Sequence, residues 1–259
     1  MRVTVLGCGG SAGVPMVGRA GGYWGACDPL NPRNRRRRVS ILVEAEGQVI
    51  LVDTSPDLRE QLLDADVTRI DAVLYTHDHA DHVSGIDELR HIRVKGRSGI
   101  DCYGERETMA TLEARFRYAF VQNEAGSGVL YRPFLNRRDV TGPFRIGPVQ
   151  VVPFRQDHGM GTWTTGFRIG DTAYSTDVVD LPEESWAALQ GVRLWVVDAL
   201  REEPHPTHAH LERTLSWIER LKPERAVLTH MNHTMDYETV RSRCPAGVEP
   251  GYDGLVVEI

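Results

Sequence analysis

Thr76-His77-Asp78-His79-Ala80-Asp81-His82 stands directly after the apolar run 71–75. Three imidazoles and the Asp81 carboxylate sit within six positions there. A turn at a strand end can send alternate side chains to different points of one cleft, so this short loop can serve two metal ions. Imidazole nitrogen together with carboxylate oxygen suits zinc, manganese, iron or nickel better than calcium. The plainer alternative is a histidine-rich surface turn, and the rest of the chain decides between the two.

Working outward, His158, Asp177 and His230 each fall at or just after a predicted strand end. Any one of them alone reads more simply as structural. Together with the 76–82 turn they supply seven ligands in the order a dinuclear site needs. Strand-like runs are predicted at 2–6, 39–44, 48–52 (ending at Asp53), 71–75, 147–154, 165–169, 172–175, 193–197 (stopping at Asp198), 225–228 and 254–259. Helical periodicity is predicted at 57–65, 86–93, 106–118, 181–189 and 211–221. Strands with interspersed helices imply an α/β (α+β) architecture of mixed sheets covered by outer helices. Residues 19–38 and 119–142 read as irregular. No repeat or linker divides the chain, so one domain over 1–259 is expected.

Bulk properties narrow the classes. The 259 residues are 41% hydrophobic and 25% charged, with net charge −6, an ordinary globular balance. An acidic balance argues against bulk nucleic-acid binding. No apolar stretch is long enough for a membrane span, and the N-terminus carries no secretory pattern. Cys8, Cys27, Cys102 and Cys244 are far apart with no CxxC pair, so a reduced, cytoplasmic protein is expected.

The order HxHxDH, then His158, Asp177 and His230, resembles the metallo-β-lactamase superfamily over nearly the whole chain. That resemblance implies a four-layer αββα sandwich with metals at one edge of the sheets. It also implies roles: His77, His79 and His158 on a first ion, Asp81, His82 and His230 on a second, and Asp177 bridging. Two divalent ions, zinc or manganese, lower the pKa of a shared water so that hydroxide attacks at neutral pH. Asp81 is expected to orient that nucleophile or relay its proton.

Flanking motifs resemble one branch more closely. Gly7-Cys-Gly-Gly-Ser-Ala-Gly-Val-Pro15, Asn31-Pro-Arg-Asn-Arg-Arg-Arg-Arg38 and Gly251-Tyr252-Asp253-Gly254 look like the branch containing the cyclic-phosphate phosphodiesterase of the carbon–phosphorus lyase pathway, related to ribonuclease Z. His205-Pro-Thr-His208-Ala-His210 matches that branch's extra histidine. His208 is the candidate general acid or phosphate contact, with His205 and His210 read as surface or supporting residues. The 7–13 loop is expected to let the chain turn tightly rather than cradle phosphate. Ser11, Tyr252 and Asp253 are further substrate-binding candidates, and the arginine run 33–38 reads as a solvated face. Branch members with the pathway activity carry a structural zinc on three cysteines and a histidine. Only Cys27 and His233 remain here, so no such zinc is expected, and Tyr23 and Trp24 are expected to pack in its place.

These readings favour hydrolysis of a small phosphodiester, cyclic or nucleotide-like, with a homodimer left open. The alternatives are tRNA 3′ processing, thioester or lactam hydrolysis, and metal binding without turnover.

Overall fold

Period-two alternation decides which way each strand faces. In the computed structural model, which describes residues 1–92, 99–121 and 133–259, the strands begin with β1 (Arg2–Gly7), β2 (Ser40–Ala45), β3 (Gln48–Val52), β4 (Ala72–Leu74), β5 (Ile100–Glu105) and β6 (Leu135–Val140). They continue with β7 (Phe144–Ile146), β8 (Val149–Asp157), β9 (Trp163–Ile169), β10 (Thr172–Ser175), β11 (Leu194–Asp198), β12 (Arg225–Thr229), β13 (Val248–Pro250) and β14 (Val256–Glu258). One sheet has the order β14-β1-β2-β3-β4-β5-β6 and the other β13-β12-β11-β10-β9-β8-β7.

On β2, Ile41 and Val43 enter the layer between the sheets, while Leu42 points to the opposite face. Ile50 and Val52 against Leu51, and Ala72 and Leu74 against Val73, repeat the division on β3 and β4. Both faces are therefore buried, which is why these strands read as near-continuous apolar runs. The inter-sheet layer is completed by Val151, Phe167, Ile169 and Ala173 from the second sheet.

Seven helices are described: α1 (Leu58–Asp64), α2 (Ala80–Val83), α3 (Arg106–Arg115), α4 (Arg117–Phe120), α5 (Glu183–Leu189), α6 (Leu211–Leu221) and α7 (Tyr237–Arg243). Leu58 and Leu62 of α1 and Met109 and Leu112 of α3 share a hydrophobic cluster with Leu42, Leu51 and Val73 of the first sheet. Trp186 and Leu189 of α5, Trp217 and Ile218 of α6 and Val240 of α7 belong to the other cluster, with the second sheet. The four-layer αββα order follows. No described helix is long and apolar enough to cross a membrane.

Several expected elements differ in form. Residues 86–91 make a 3-10 helix rather than an α-helix, and the 106–118 helix breaks at Phe116 (φ −120°) into α3 and α4. β5 and β6 escape periodicity for a physical reason. β6 (LNRRDV) is an edge strand dressed with charge, which blunts edge-to-edge pairing and erases the apolar signal. Residues 122–132 of the ambiguous 119–142 segment lie outside the described residues.

The arginine run is solvated only in part: Arg33 and Arg35 are exposed and Arg37 and Arg38 half-buried, but Arg36 is enclosed. Arg36 is only 2% exposed, and its guanidinium lies 3.7 Å from the Cys27 thiol and 3.2 Å from the Asn232 carbonyl. Arg37 and Arg38 pair with Asp64 and Asp57, and Arg33 lies over the Tyr237 and Tyr252 rings. Tyr23 packs on His233 as expected, with centroids 5.2 Å apart, whereas Trp24 turns instead to Arg35. The cation beside Cys27 is thus a guanidinium. The tight turn expected of the glycine loop is present, with the Gly13 amide donating to the Gly10 carbonyl at 2.8 Å and Gly13 at φ 65°, and a Cβ on Gly7 would stand 2.1 Å from the Arg38 carbonyl oxygen.

Candidate metal centre

The site lies where strand ends from both sheets meet. β3 delivers Asp53, β4 runs into the 76–82 turn, β8 into His158, β10 into Asp177, β11 ends in Asp198, and β12 runs into His230. Because β10, β11 and β12 are parallel neighbours, with Ser175 opposite Val197 and Asp198 opposite Thr229, their C-terminal ends lie side by side. Asp53, Asp177 and His230 all take left-handed backbone, with φ of 61°, 55° and 57°. Such strain costs roughly 1–3 kcal/mol per residue and persists where the surroundings enforce it. The two sheets are tied at this edge by the Thr165 amide donating to the Thr76 carbonyl at 2.9 Å.

Asp177 organises the cluster. Its Oδ1 is 3.1 Å from His82 Nε2 and 3.4 Å from His230 Nε2. Its Oδ2 is 3.7 Å from His77 Nε2 and 3.9 Å from both His158 Nε2 and His208 Nε2. Donor atoms of His77, His79, His158 and Asp177 form one group within ligand distance of each other, and those of Asp81, His82 and His230 another. A third grouping of Asp177, His208 and His230 also meets that distance.

Three of the rings are anchored through Nδ1. His82 Nδ1 is 2.8 Å from Asp53 Oδ2, His158 Nδ1 is 2.8 Å from the Thr207 carbonyl, and His208 Nδ1 is 2.9 Å from Asp198 Oδ2. Asp53 also accepts from the Thr76 amide and hydroxyl. Anchoring Nδ1 leaves Nε2 aimed at the cleft, the arrangement that orients metal-binding histidines. Nε2 of His77, His82 and His230 is buried with no hydrogen-bond partner. Buried polar atoms are ordinarily satisfied. These orphaned nitrogens around a split carboxylate therefore fit divalent cations, and a nitrogen-oxygen set of this kind suits zinc or manganese.

Ser11 lines the same cleft of about 450 Å³, with His79, Asp81, Met160, Thr162, Thr207 and His208. A larger hollow of about 750 Å³ beside Met1 and Ile259 is lined by arginines and glutamates with no histidine among them. Two substrate candidates are placed elsewhere. Asp253 is half-buried and accepts from the amides of Cys8 and Arg37, with desolvation pushing its carboxyl up to about 7. Tyr252 packs on Tyr237 and beneath Arg33. Asp253 ties the end of the chain to the β1 exit, and neither residue lines the cleft. His205 accepts from the Thr207 amide at 3.3 Å. Asp53 and Asp198 carry the anchoring that sequence reasoning did not assign. Their signal was present, since each is an acid standing at the end of a predicted strand.

Charge in the ion-free protein makes a prediction. Burial opposes a proton on His230, but the Asp177 and Asp81 carboxylates outweigh it and push the imidazole up to about 9. His82, likewise buried, is raised well above its ordinary value by Asp177 and Asp53. Both folded values lie above the unfolded value of about 6.5. Their stabilisation is therefore complete below about pH 6.5 and lost, for His230, as pH rises through about 9. Ligation needs neutral rings, so adding zinc near pH 7.5 in weak buffer should release about two protons, fewer as pH passes about 9. Loading without proton release would contradict this.

Comparison with known proteins follows the same lines. The beta-lactamase superfamily domain pattern matches residues 48–231. A solved structure described as a new diphosphatase from the PhnP family is 34% identical, with TM-score 0.89, covering 100% of this chain and 97% of that one. An octanoyltransferase from Porphyromonas gingivalis (strain ATCC BAA-308 / W83) is 33% identical over 258 residues, 98% of this chain but 51% of that protein. A ribonuclease Z from Bradyrhizobium sp. (strain ORS 278) is 45% identical over 60 residues, 22% of this chain and 20% of that enzyme. The chain thus spans about half the length of the first of these curated relatives and a fifth of the second.

Proposed function

Since this chain belongs to the beta-lactamase superfamily of metal-dependent hydrolases, we propose that it cleaves a small phosphodiester. His77, His79, His158 and Asp177 would hold one cation, and Asp177, Asp81, His82 and His230 a second. Two divalent ions there supply a nucleophilic water near neutral pH and neutralise charge on the phosphoryl oxygens.

The protein's own groups do the rest. His208 is the observation that carries the reading. Its Nδ1 donates to Asp198 at 2.9 Å while its Nε2 faces the cleft. A ring held this way can pass a proton from Nε2 to the departing alkoxide. Asp81, whose carboxylate lies 3.4 Å from His82 Nε2 and 3.7 Å from His230 Nε2, orients the attacking water. The Ser11 hydroxyl, which lines the same cleft, can donate to a phosphoryl oxygen.

A second reading is favoured by the likeness to the diphosphatase. A diphosphate substituted at both ends presents the same singly charged, doubly substituted phosphorus, with a phosphate leaving in place of an alcohol. The shorter ribonuclease Z likeness keeps tRNA 3′ processing as a third substrate class, and the octanoyltransferase likeness makes a thioester a necessary control.

Metal-loaded protein should be offered bis(p-nitrophenyl) phosphate, a 2′,3′-cyclic nucleotide, a dinucleoside diphosphate, pre-tRNA, nitrocefin and an octanoyl thioester. Turnover of the first two is expected. Cleavage of the diphosphate alone would favour the second reading, and cleavage of lactam or thioester but no phosphorus ester would end the proposal.

A further inference from the structure

Among the described residues, seven that are not glycine adopt left-handed backbone. Glu46 occupies the β2–β3 turn, Asp66 follows α1, and Lys222 caps the end of α6; reversals of this kind commonly place a residue there. Asp53, Asp177 and His230 belong to the metal centre. The seventh is Met160, at φ 53° between Gly159 and Gly161, at φ 75° and 80°. Methionine has no local hydrogen bond to favour that conformation, unlike the asparagine and aspartate that visit it most often.

Met160 is also 85% exposed, so its side chain gains nothing from the core. Yet its loop is firmly held. The His158 amide donates to Thr162, and the Thr162 amide and hydroxyl return to the Gly159 carbonyl at 2.9 and 2.7 Å. A Cβ on Gly159 would stand 2.1 Å from the Pro206 carbonyl oxygen, so the turn is jammed against the segment carrying Thr207 and His208. It places the methionine on the wall of the cleft that holds His158, Asp177 and His208.

We infer that Met160 is the substrate-contacting lip of the cleft, packing an apolar or aromatic group attached to the phosphate and so selecting esters with such a group. This rests on, and deepens, the reading of the site as one for phosphate esters. An unbranched thioether suits the role, since it moulds to flat or irregular surfaces and makes favourable contacts with aromatic rings. The fixed loop spares the ordering that a mobile one would need on binding.

The test compares phenyl phosphate with inorganic phosphate, each titrated calorimetrically into metal-loaded protein. Met160→Gly, which suits the backbone, should weaken phenyl phosphate about tenfold, in line with loss of a partly buried apolar contact, and leave inorganic phosphate unchanged. Met160→Leu should keep the preference, and the thermal midpoint of Met160→Gly should hold or rise. An equal change for both ligands, no change for either, or a lowered midpoint would overturn the inference. If the phenyl preference depends on Met160 while no phosphorus ester is hydrolysed, the lip stands and the phosphodiesterase reading fails alone.

Discussion

Replacing Asp177 with alanine is expected to strip metal from the centre and lower turnover by at least about a thousandfold. One oxygen of this carboxylate faces His82 and His230 and the other faces His77 and His158, so this one side chain serves both halves. Each factor of ten corresponds to about 1.4 kcal/mol of lost transition-state stabilisation, and losing the buried carboxylate shared by two cations is expected to exceed three such factors. The substitution also removes the main attraction that keeps His82 and His230 protonated when no ion is bound. The ion-free variant should therefore lose less stability between about pH 6.5 and 9 than the ion-free wild type. Asp177→Asn keeps the shape and loses the charge, and it should behave like the alanine variant. Elemental analysis with circular dichroism checks the result. A folded Asp177→Ala protein with its full metal complement and near-native turnover would refute the bridging role.

His208→Ala should leave the metal in place and reduce turnover by about a hundredfold to ten-thousandfold, the usual reach of general acid catalysis. That loss should depend on the leaving group. An alkoxide needs a proton as it departs, whereas p-nitrophenolate is stable without one. The variant should therefore be crippled on a 2′,3′-cyclic nucleotide and nearly unaffected on bis(p-nitrophenyl) phosphate. Asp198→Asn should show the same selectivity at about ten- to a hundredfold, because it disturbs the anchor rather than the acid. His208 Nε2 also comes within ligand distance of Asp177 and His230, which makes metal analysis decisive. Loss of one ion equivalent from His208→Ala would make the residue a ligand, and equal losses on both substrates would remove it from proton transfer.

Much of this was legible before any coordinates. His77, His79, Asp81, His82, His158, Asp177 and His230 could be read as a set because the 76–82 turn, His158, Asp177 and His230 each follow an apolar run that stops at a polar residue, in the order of the superfamily pattern. The mixed sheets under outer helices followed from the strand and helix periodicity, and the four-layer order from the family resemblance. Asp53 and Asp198 carried that mark too, but no family pattern singled them out, and their role is a hydrogen bond to a ring distant in sequence. Tyr252 and Asp253 were misplaced for a related reason. The resemblance implies that the last segment returns towards the centre, but the sequence does not show which side of β1 it passes. Arg36 is the sharpest contrast: a run of cations looks solvated, and only packing reveals that one of them is enclosed beside Cys27.

The centre draws His77, His79, Asp81, His82 and Asp53 from one sheet and His158, Asp177, Asp198 and His230 from the other. The thickness of the apolar filling between the sheets, set by side chains such as Val43, Val52, Val151 and Phe167, is thus the calliper of the reaction. Trimming or swelling that filling would change the gauge at which the two sets of nitrogens and oxygens confront each other, without touching any of them.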